Sequence, residues 1–273
     1  MSLPKAILKR AVKAALATAG RECLDAADSR ILTYHSVGFR DHEMNVHPEM
    51  FARQMTWLAQ NRKVITLDEA AELKPGVAVS FDDGYRDNLV HAAPVLRALD
   101  IPATVFVVAG RVGGLLEHDR DRETAALLTW EEIREIEAMG CAIGAHGLTH
   151  RRLALLDAEE QREEVATCSK RLEEQLGHPV HAFAYPFGSA ADYTSETTRL
   201  VRESGFRYAV SNRYGRNTRE TDRWTLRRIW VDATDSLNAF QAKVDGRLDP
   251  LALLESRAGL RARRVLNRCL RTH

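Results

Sequence analysis

Between about residues 30 and 232, two hydrophobic rhythms alternate along the chain. Short runs rich in β-branched and aromatic residues predict strands at 31–34, 63–66, 77–81, 103–108, 142–144, 182–185, 208–210 and 228–231. Between them, apolar positions recur every three or four residues. Phe51, Met55 and Leu58 mark a helix over 48–60, and Leu89, Ala93 and Leu96 mark another over 87–99. Thr129 caps a helix over 130–139 that stops at Gly140. A helix over 157–176 starts at an acidic cap and stops at Gly177, and one over 195–203 ends before Gly205. Parallel neighbours require crossover connections, so strands alternating with helices imply a parallel sheet. Seven or eight such strands favour a closed or nearly closed α/β barrel, with chemistry at the carboxyl ends of the strands. No repeat, Pro-rich linker or low-complexity segment divides the pattern. One domain over 30–249 is expected, with appended ends at 1–29 and 250–273.

Composition bounds this picture. A chain of 273 residues with 45% hydrophobic and 28% charged side chains is neither disordered, collagen-like nor a disulfide miniprotein. The formal charge of +1 conceals a separation: residues 1–20 carry +4, residues 251–273 carry +5, and the body between them is −8. Lys5, Lys9 and Lys13 recur opposite Leu8, Val12 and Leu16, while Arg257, Arg261, Arg264, Arg268 and Arg271 form one helical stripe. Both ends read as cationic amphipathic helices. Such helices either lie on an anionic membrane surface or pack on the barrel with solvated basic faces. Nucleic acid is not expected, because the body is acidic and no recognition motif is present. Cys23, Cys141, Cys168 and Cys269 form no CxxC pair, so free thiols are expected. No apolar run reaches the ~18–20 residues of a membrane span, and Lys13 interrupts the N-terminal apolar stretch. A cytoplasmic location is expected, with peripheral contact on the inner membrane face open to the basic ends.

Chemistry concentrates where strands end. Val77-Ala-Val-Ser-Phe-Asp82-Asp83-Gly84-Tyr85 closes a strand with adjacent carboxylates. Alone this is either a turn or a pair of acids pointing different ways, one able to hold a cation and the other to address a water beside it. His146-Gly-Leu-Thr-His150 follows another strand, and imidazoles at this spacing can converge on one cation. One carboxylate with two histidines and an open position is the layout of a catalytic metal site, whereas structural zinc sites close with four ligands. The ligand set suits one divalent ion, Zn²⁺ first, with Co²⁺, Ni²⁺, Mn²⁺ and Fe²⁺ as alternatives.

Ser80-Phe-Asp82-Asp83-Gly84, the His146/His150 pair and Phe183-Ala-Tyr-Pro-Phe-Gly188, in that order, resemble the polysaccharide deacetylases of carbohydrate esterase family 4, the NodB-homology family. The resemblance covers most of residues 30–232. It implies a distorted (β/α) barrel, Asp82 as general base, and Asp83, His146 and His150 as metal ligands. The family's Leu-x-His motif, which carries the acid histidine, does not follow residue 188. Leu32-Thr-Tyr-His35 stands instead near the start, as in a circularly permuted branch that includes poly-N-acetylglucosamine deacetylases, which makes His35 the candidate acid. The arginine of the family's Arg-x-Pro-Tyr motif is replaced by Ala184, and Arg228 could supply its contact to the base from another strand. Phe187 replaces the motif tyrosine and keeps a backbone N–H for an oxyanion hole.

Tyr85 is expected to line the cleft and Trp224 to offer a sugar-stacking wall. Trp57 and Trp130 are assigned to packing, and His42, His47, His91, His118, His178 and His181 to surface or structural roles. The 111–123 stretch reads as a solvated loop at the catalytic end. The expected function is metal-dependent removal of N-acetyl groups from an amino-sugar glycan or a lipid-linked precursor, releasing acetate. Deformylation or cyclic-amide hydrolysis on the same fold is the alternative, separated by substrate profile. A non-catalytic glycan- or membrane-binding relic is a third, against which the intact Asp82, Asp83, His146 and His150 argue.

Overall fold

The computed structural model describes residues 28–116 and 125–249. Its strands are β1 (Ser29–Tyr34), β2 (Ser36–Val37), β3 (Asn45–Val46), β4 (Gly76–Phe81), β5 (Ala103–Val107), β6 (Cys141–Ala145), β7 (Ala182–Ala184), β8 (Tyr208–Tyr214) and β9 (Leu226–Trp230). Seven of them close a parallel barrel in the order β1-β4-β5-β6-β7-β8-β9, while β2 and β3 form a separate ribbon. Closure is made by β1 on β9, with Leu32 opposite Ile229 and Thr33 opposite Trp230. The strands are nearly continuous apolar runs because parallel sheets are covered on both faces.

Strand periodicity divides the core into two shells. Ile31, Ala78, Phe106, Ala184, Val210 and Leu226 belong to one buried cluster, and Leu32, Val79, Phe81, Val105 and Ile229 to another that packs against the helices. The first set lines the ring, where alanines and Gly144 leave room for large groups. A Cβ on Gly144 would sit 2.4 Å from the Phe106 ring, so the barrel accepts that ring only because position 144 lacks one. The barrel's other large interior side chain is Arg228, 1% exposed.

The expected strand at 63–66 is reduced to a single bridge, Val64 to Val77. Thr66 ends it by capping the helix Leu67–Ala71 through a capping box with Glu69. That helix and Leu237–Val244 were absent from the predicted elements. The first is five residues long, and the second turns Lys243 inward to Asp235 and the Trp230 carbonyl, which breaks its apolar pattern. The other helices lie within a residue or two of expectation, and Gly177 takes the left-handed conformation that ends the longest. Two contain a widened π turn, Asn88–Ala92 and Glu163–Thr167. Pro94, which has no N–H to give, follows the first. The 111–116 stretch is not wholly solvated: Leu116 packs with Tyr85, Val108 and Leu127. The basic ends and His118 lie outside the described residues. Among the described residues, no helix is long and apolar enough to cross a membrane.

Candidate active site

Every strand that leads into the motifs delivers its side chains to one end of the barrel. β4 ends at Phe81, and the next two residues diverge. Asp82 continues the extended chain, with its N–H donating to the Tyr34 carbonyl at 2.9 Å. Asp83 takes φ 73°, which swings its carboxylate away from its neighbour's. His150 and Phe187, at φ 66° and 62°, are the other left-handed side chains here, so three of the five non-glycine residues with positive φ among the described residues fall at this site. Such conformations persist where surrounding contacts over-determine them.

Asp82 is fully buried and meets Arg228 in a two-pronged pair: Nη1 donates to Oδ1 and Nη2 to Oδ2, both at 2.6 Å. Burial pushes the Asp82 carboxyl up, but the guanidinium, helped by the His146 and His35 imidazoles, outweighs it and holds the group below its ordinary value. Arg228 is itself fixed by the Ser211 carbonyl at 3.0 Å and Asn212 Oδ1 at 2.7 Å. It lies inside β9 rather than at a strand start, and it is no surface arginine. Its guanidinium reaches Asp82 from β9, on the other side of the closure, while the position of the motif's own arginine, Ala184, lies on β7.

Asp83 Oδ1 lies 3.5 Å from His146 Nε2 and 3.2 Å from His150 Nε2. The three ligand atoms fall within 4.8 Å of one another. His146 Nδ1 is 2.8 Å from the Ala184 carbonyl, a contact that places the proton on Nδ1 and leaves the Nε2 lone pair facing Asp83. Asp83 Oδ1 is buried without a hydrogen-bond partner. A carboxylate oxygen and two imidazole nitrogens converging in a buried pocket are a donor set that fits a divalent cation.

His35 follows β1 and places Nε2 4.0 Å from Asp82 Oδ2. Burial lowers its imidazole pKa, outweighing the pull of Asp83 and Asp82 in the other direction. The helix after the acidic pair holds its segment: Asn88 Nδ2 donates to the His35 carbonyl at 2.7 Å, and Asp87 accepts from the Ser36 hydroxyl and from the Val37 N–H.

These groups open into a cavity of about 630 Å³, also lined by His42, Glu43, Met44, Thr149, Arg151, Ser189, Asn212 and Trp230. Phe187, 37% exposed, forms part of the wall, its ring beside His150 and under the Arg152 guanidinium. Two expectations are corrected. Tyr85 is 2% exposed and turned into the Leu116–Leu127 cluster, with Arg40 over its ring, instead of lining the cleft. Trp224 packs on the outer core and accepts the Tyr185 hydroxyl at its carbonyl; the tryptophan at the cavity is Trp230, 5.7 Å from the His35 ring. His42 is exposed, as expected, and stands at the cavity on the segment between β2 and β3. Trp57 and Trp130 do pack against the core. Asn212, Asn88, Trp230 and Glu164 had no motif or spacing to mark them, since each meets a partner far along the chain.

A closed parallel barrel with a converging Asp-His-His set, and beside it a second carboxylate kept ionised, defines a hydrolase of the barrel type. The chain belongs to the polysaccharide deacetylase family, whose model matches residues 70–209. It is 29% identical over 224 residues to YxkH of Bacillus subtilis (strain 168), covering 79% of this chain and 75% of that one. It is 24% identical over 184 residues to a poly-β-1,6-N-acetyl-D-glucosamine N-deacetylase of Staphylococcus aureus, spanning 61% of each. Among solved structures, IcaB from Ammonifex degensii superposes with a TM-score of 0.68 at 28% identity, covering 80% of this chain and 97% of that one. The Streptococcus pyogenes deacetylase PplD, in complex with acetate, gives 0.70 at 22% identity over 81% and 99%.

Proposed function

We propose that this chain is a metal-dependent carbohydrate N-deacetylase that removes acetyl groups from an amino-sugar glycan of the poly-β-1,6-N-acetylglucosamine type and releases acetate. The carbohydrate deacetylase class follows from family membership. The observation that carries the finer reading is the juxtaposition of the Asp82–Arg228 pair, His35 and the Asp83–His146–His150 set in one cavity. The substrate class is supported by the Staphylococcus aureus relative and by His35 standing at the start of the chain.

An N-acetyl group resists hydrolysis because water attacks an amide slowly and an amine leaves poorly. Asp83, His146 and His150 would hold a divalent ion that polarises the acetyl carbonyl and acidifies a water beside it. Asp82, kept ionised by Arg228, accepts the proton of the attacking water. The Phe187 backbone N–H donates to the oxyanion. His35 delivers a proton to the departing amine nitrogen, without which that nitrogen would leave as an anion. Trp230 and Phe187 offer apolar faces to the sugar ring.

The test is acetate release from N-acetylglucosamine oligomers of β-1,6 and β-1,4 linkage, with and without chelator. Release that prefers the β-1,6 series and disappears on chelation is expected. Release indifferent to chelation would overturn the metal dependence, and release confined to another linkage or to N-formyl sugars would overturn the substrate.

A further inference from the structure

The two imidazoles of the candidate metal site sit on a loop, His146–His150, that has no regular structure of its own. One edge of it runs along the chain after β5. The His146 N–H donates to the Val107 carbonyl at 2.9 Å, and the carbonyls of Gly147 and Leu148 accept from Ala109 and Gly110 at 3.1 and 2.7 Å. The N–H groups of Leu148 and Thr149 are directed elsewhere. Both donate to Glu164 Oε2, at 3.0 and 2.9 Å, and the Thr149 hydroxyl donates to Oε1. Glu164 is 4% exposed, lies in the π turn Glu163–Thr167, and is separated from the loop by a dozen or more residues of chain.

We propose that Glu164 is the positioning residue of the metal half-site: it fixes the separation and direction of the His146 and His150 imidazoles without touching the ion. The proposal rests on Asp83, His146 and His150 being a metal site. Its geometry is specific. The loop is held on both sides, by backbone on one and by a single carboxylate on the other. Thr149, which gives that carboxylate both its N–H and its hydroxyl, immediately precedes His150 at φ 66°. Gly147 lies so close that a Cβ there would stand 3.3 Å from both Glu164 Oε2 and Pro186 Cγ. The π turn gives Glu164 its role, because a widened turn resets the helix face on which a side chain emerges, and such turns recur at functional sites. A glutamate that served only the fold would stabilise the loop and leave the ion's affinity alone.

The experiment compares full-length wild type, Glu164→Gln, Glu164→Ala and Asp83→Asn by Co²⁺ and Zn²⁺ titration, with the visible absorption of bound Co²⁺ as the geometric readout. Glutamine can accept both N–H groups and donate to the Thr149 hydroxyl, so its affinity should stay within about threefold of wild type. Glu164→Ala should bind about 10- to 100-fold more weakly and show an altered Co²⁺ spectrum. If the alanine variant fails to fold, Glu164→Asp, which withdraws the oxygens by one methylene, takes its place with the same expectation. Unchanged affinity and spectrum in the folded variant would overturn the proposal. Failure of wild type itself to bind either ion, indistinguishable from Asp83→Asn, would instead overturn the metal site, and the proposal with it.

Discussion

The Asp82–Arg228 pair resolves a conflict at the level of single side chains. On the proposed mechanism Asp82 gives up its charge to a proton, yet it is buried where water cannot solvate that charge, so a second, permanent charge has to hold it. Replacing Arg228 with methionine, similar in reach but uncharged, leaves a buried unpaired carboxylate and should cost about 3–5 kcal/mol at pH 7. The sign of the pH effect follows. With the guanidinium present, the folded pKa of Asp82 lies below its unfolded value of about 3.9. The stabilisation is therefore complete above that value and lost as pH falls through the folded one. In Arg228→Met the two imidazoles alone oppose burial, the folded pKa rises, and protonation relieves the defect. Urea melts should show the gap between the two proteins shrinking from pH 7 to pH 4; a gap that widened would contradict this assignment. Asp82→Asn should lower deacetylation by about 10²–10⁴-fold while metal content stays at the wild-type level, measured on the same preparation.

At this scale the sequence was legible where chemistry is local. Asp82, Asp83 and His146 follow a strand within one or two residues and His150 within five, so the strand pattern locates them and their spacing suggests their roles. Arg228 reaches Asp82 across 146 residues of chain, and only the gap left at Ala184 pointed to it. Tyr85 and Trp224 were misplaced for a related reason. Proximity in sequence to a motif says nothing about which way a ring turns, and both rings turn into the outer packing.

Elements show the same division. Seven of eight expected strands close the barrel, because their apolar runs are bounded by turn residues. The ribbon of β2 and β3, two residues each, is too short to leave a period. The helix Trp130–Ala138 was legible from Thr129 at its start and Gly140 at its stop, and Thr129 forms a capping box with Glu132. Thr129→Ala should cost about 0.5–2 kcal/mol in thermal or urea unfolding and leave acetate release unchanged. The two π turns left no trace in the hydrophobic pattern, yet each brings a polar side chain to a segment that carries a site residue. Asn88 begins the first. Asn88→Ala removes the bond to the His35 carbonyl and should lower kcat about 10- to 100-fold with little change in KM, the signature of a displaced proton donor rather than a lost sugar contact. Equal loss in both parameters would argue against that role.

The molecule as a whole is a ring with its two ends clasped at one place. Ser29 bridges Asn217, Arg216 pairs with Asp28, and Arg30 grips Asp249 through both guanidinium nitrogens. All seven barrel strands and every candidate site residue lie between those limits. We expect residues 28–249 alone to melt cooperatively and to release acetate from a soluble oligosaccharide at the full chain's rate; a collapsed melting transition would show that the flanking segments belong to the fold.

That clasp lies at the start of β1, whereas the cavity lies where β1 and β4 end. The clasped residues therefore lie at the floor of the barrel, one strand length, roughly 15–20 Å, below the mouth. The clasp is thus the base of a cup whose rim is the mouth of the cavity. Substrate arriving from free solution would meet the rim directly. A glycan anchored on the side of the base would have to arch over the full height of the wall to bring an acetyl group inside. The position of the clasp sets a minimum tether length for any substrate anchored beside the enzyme.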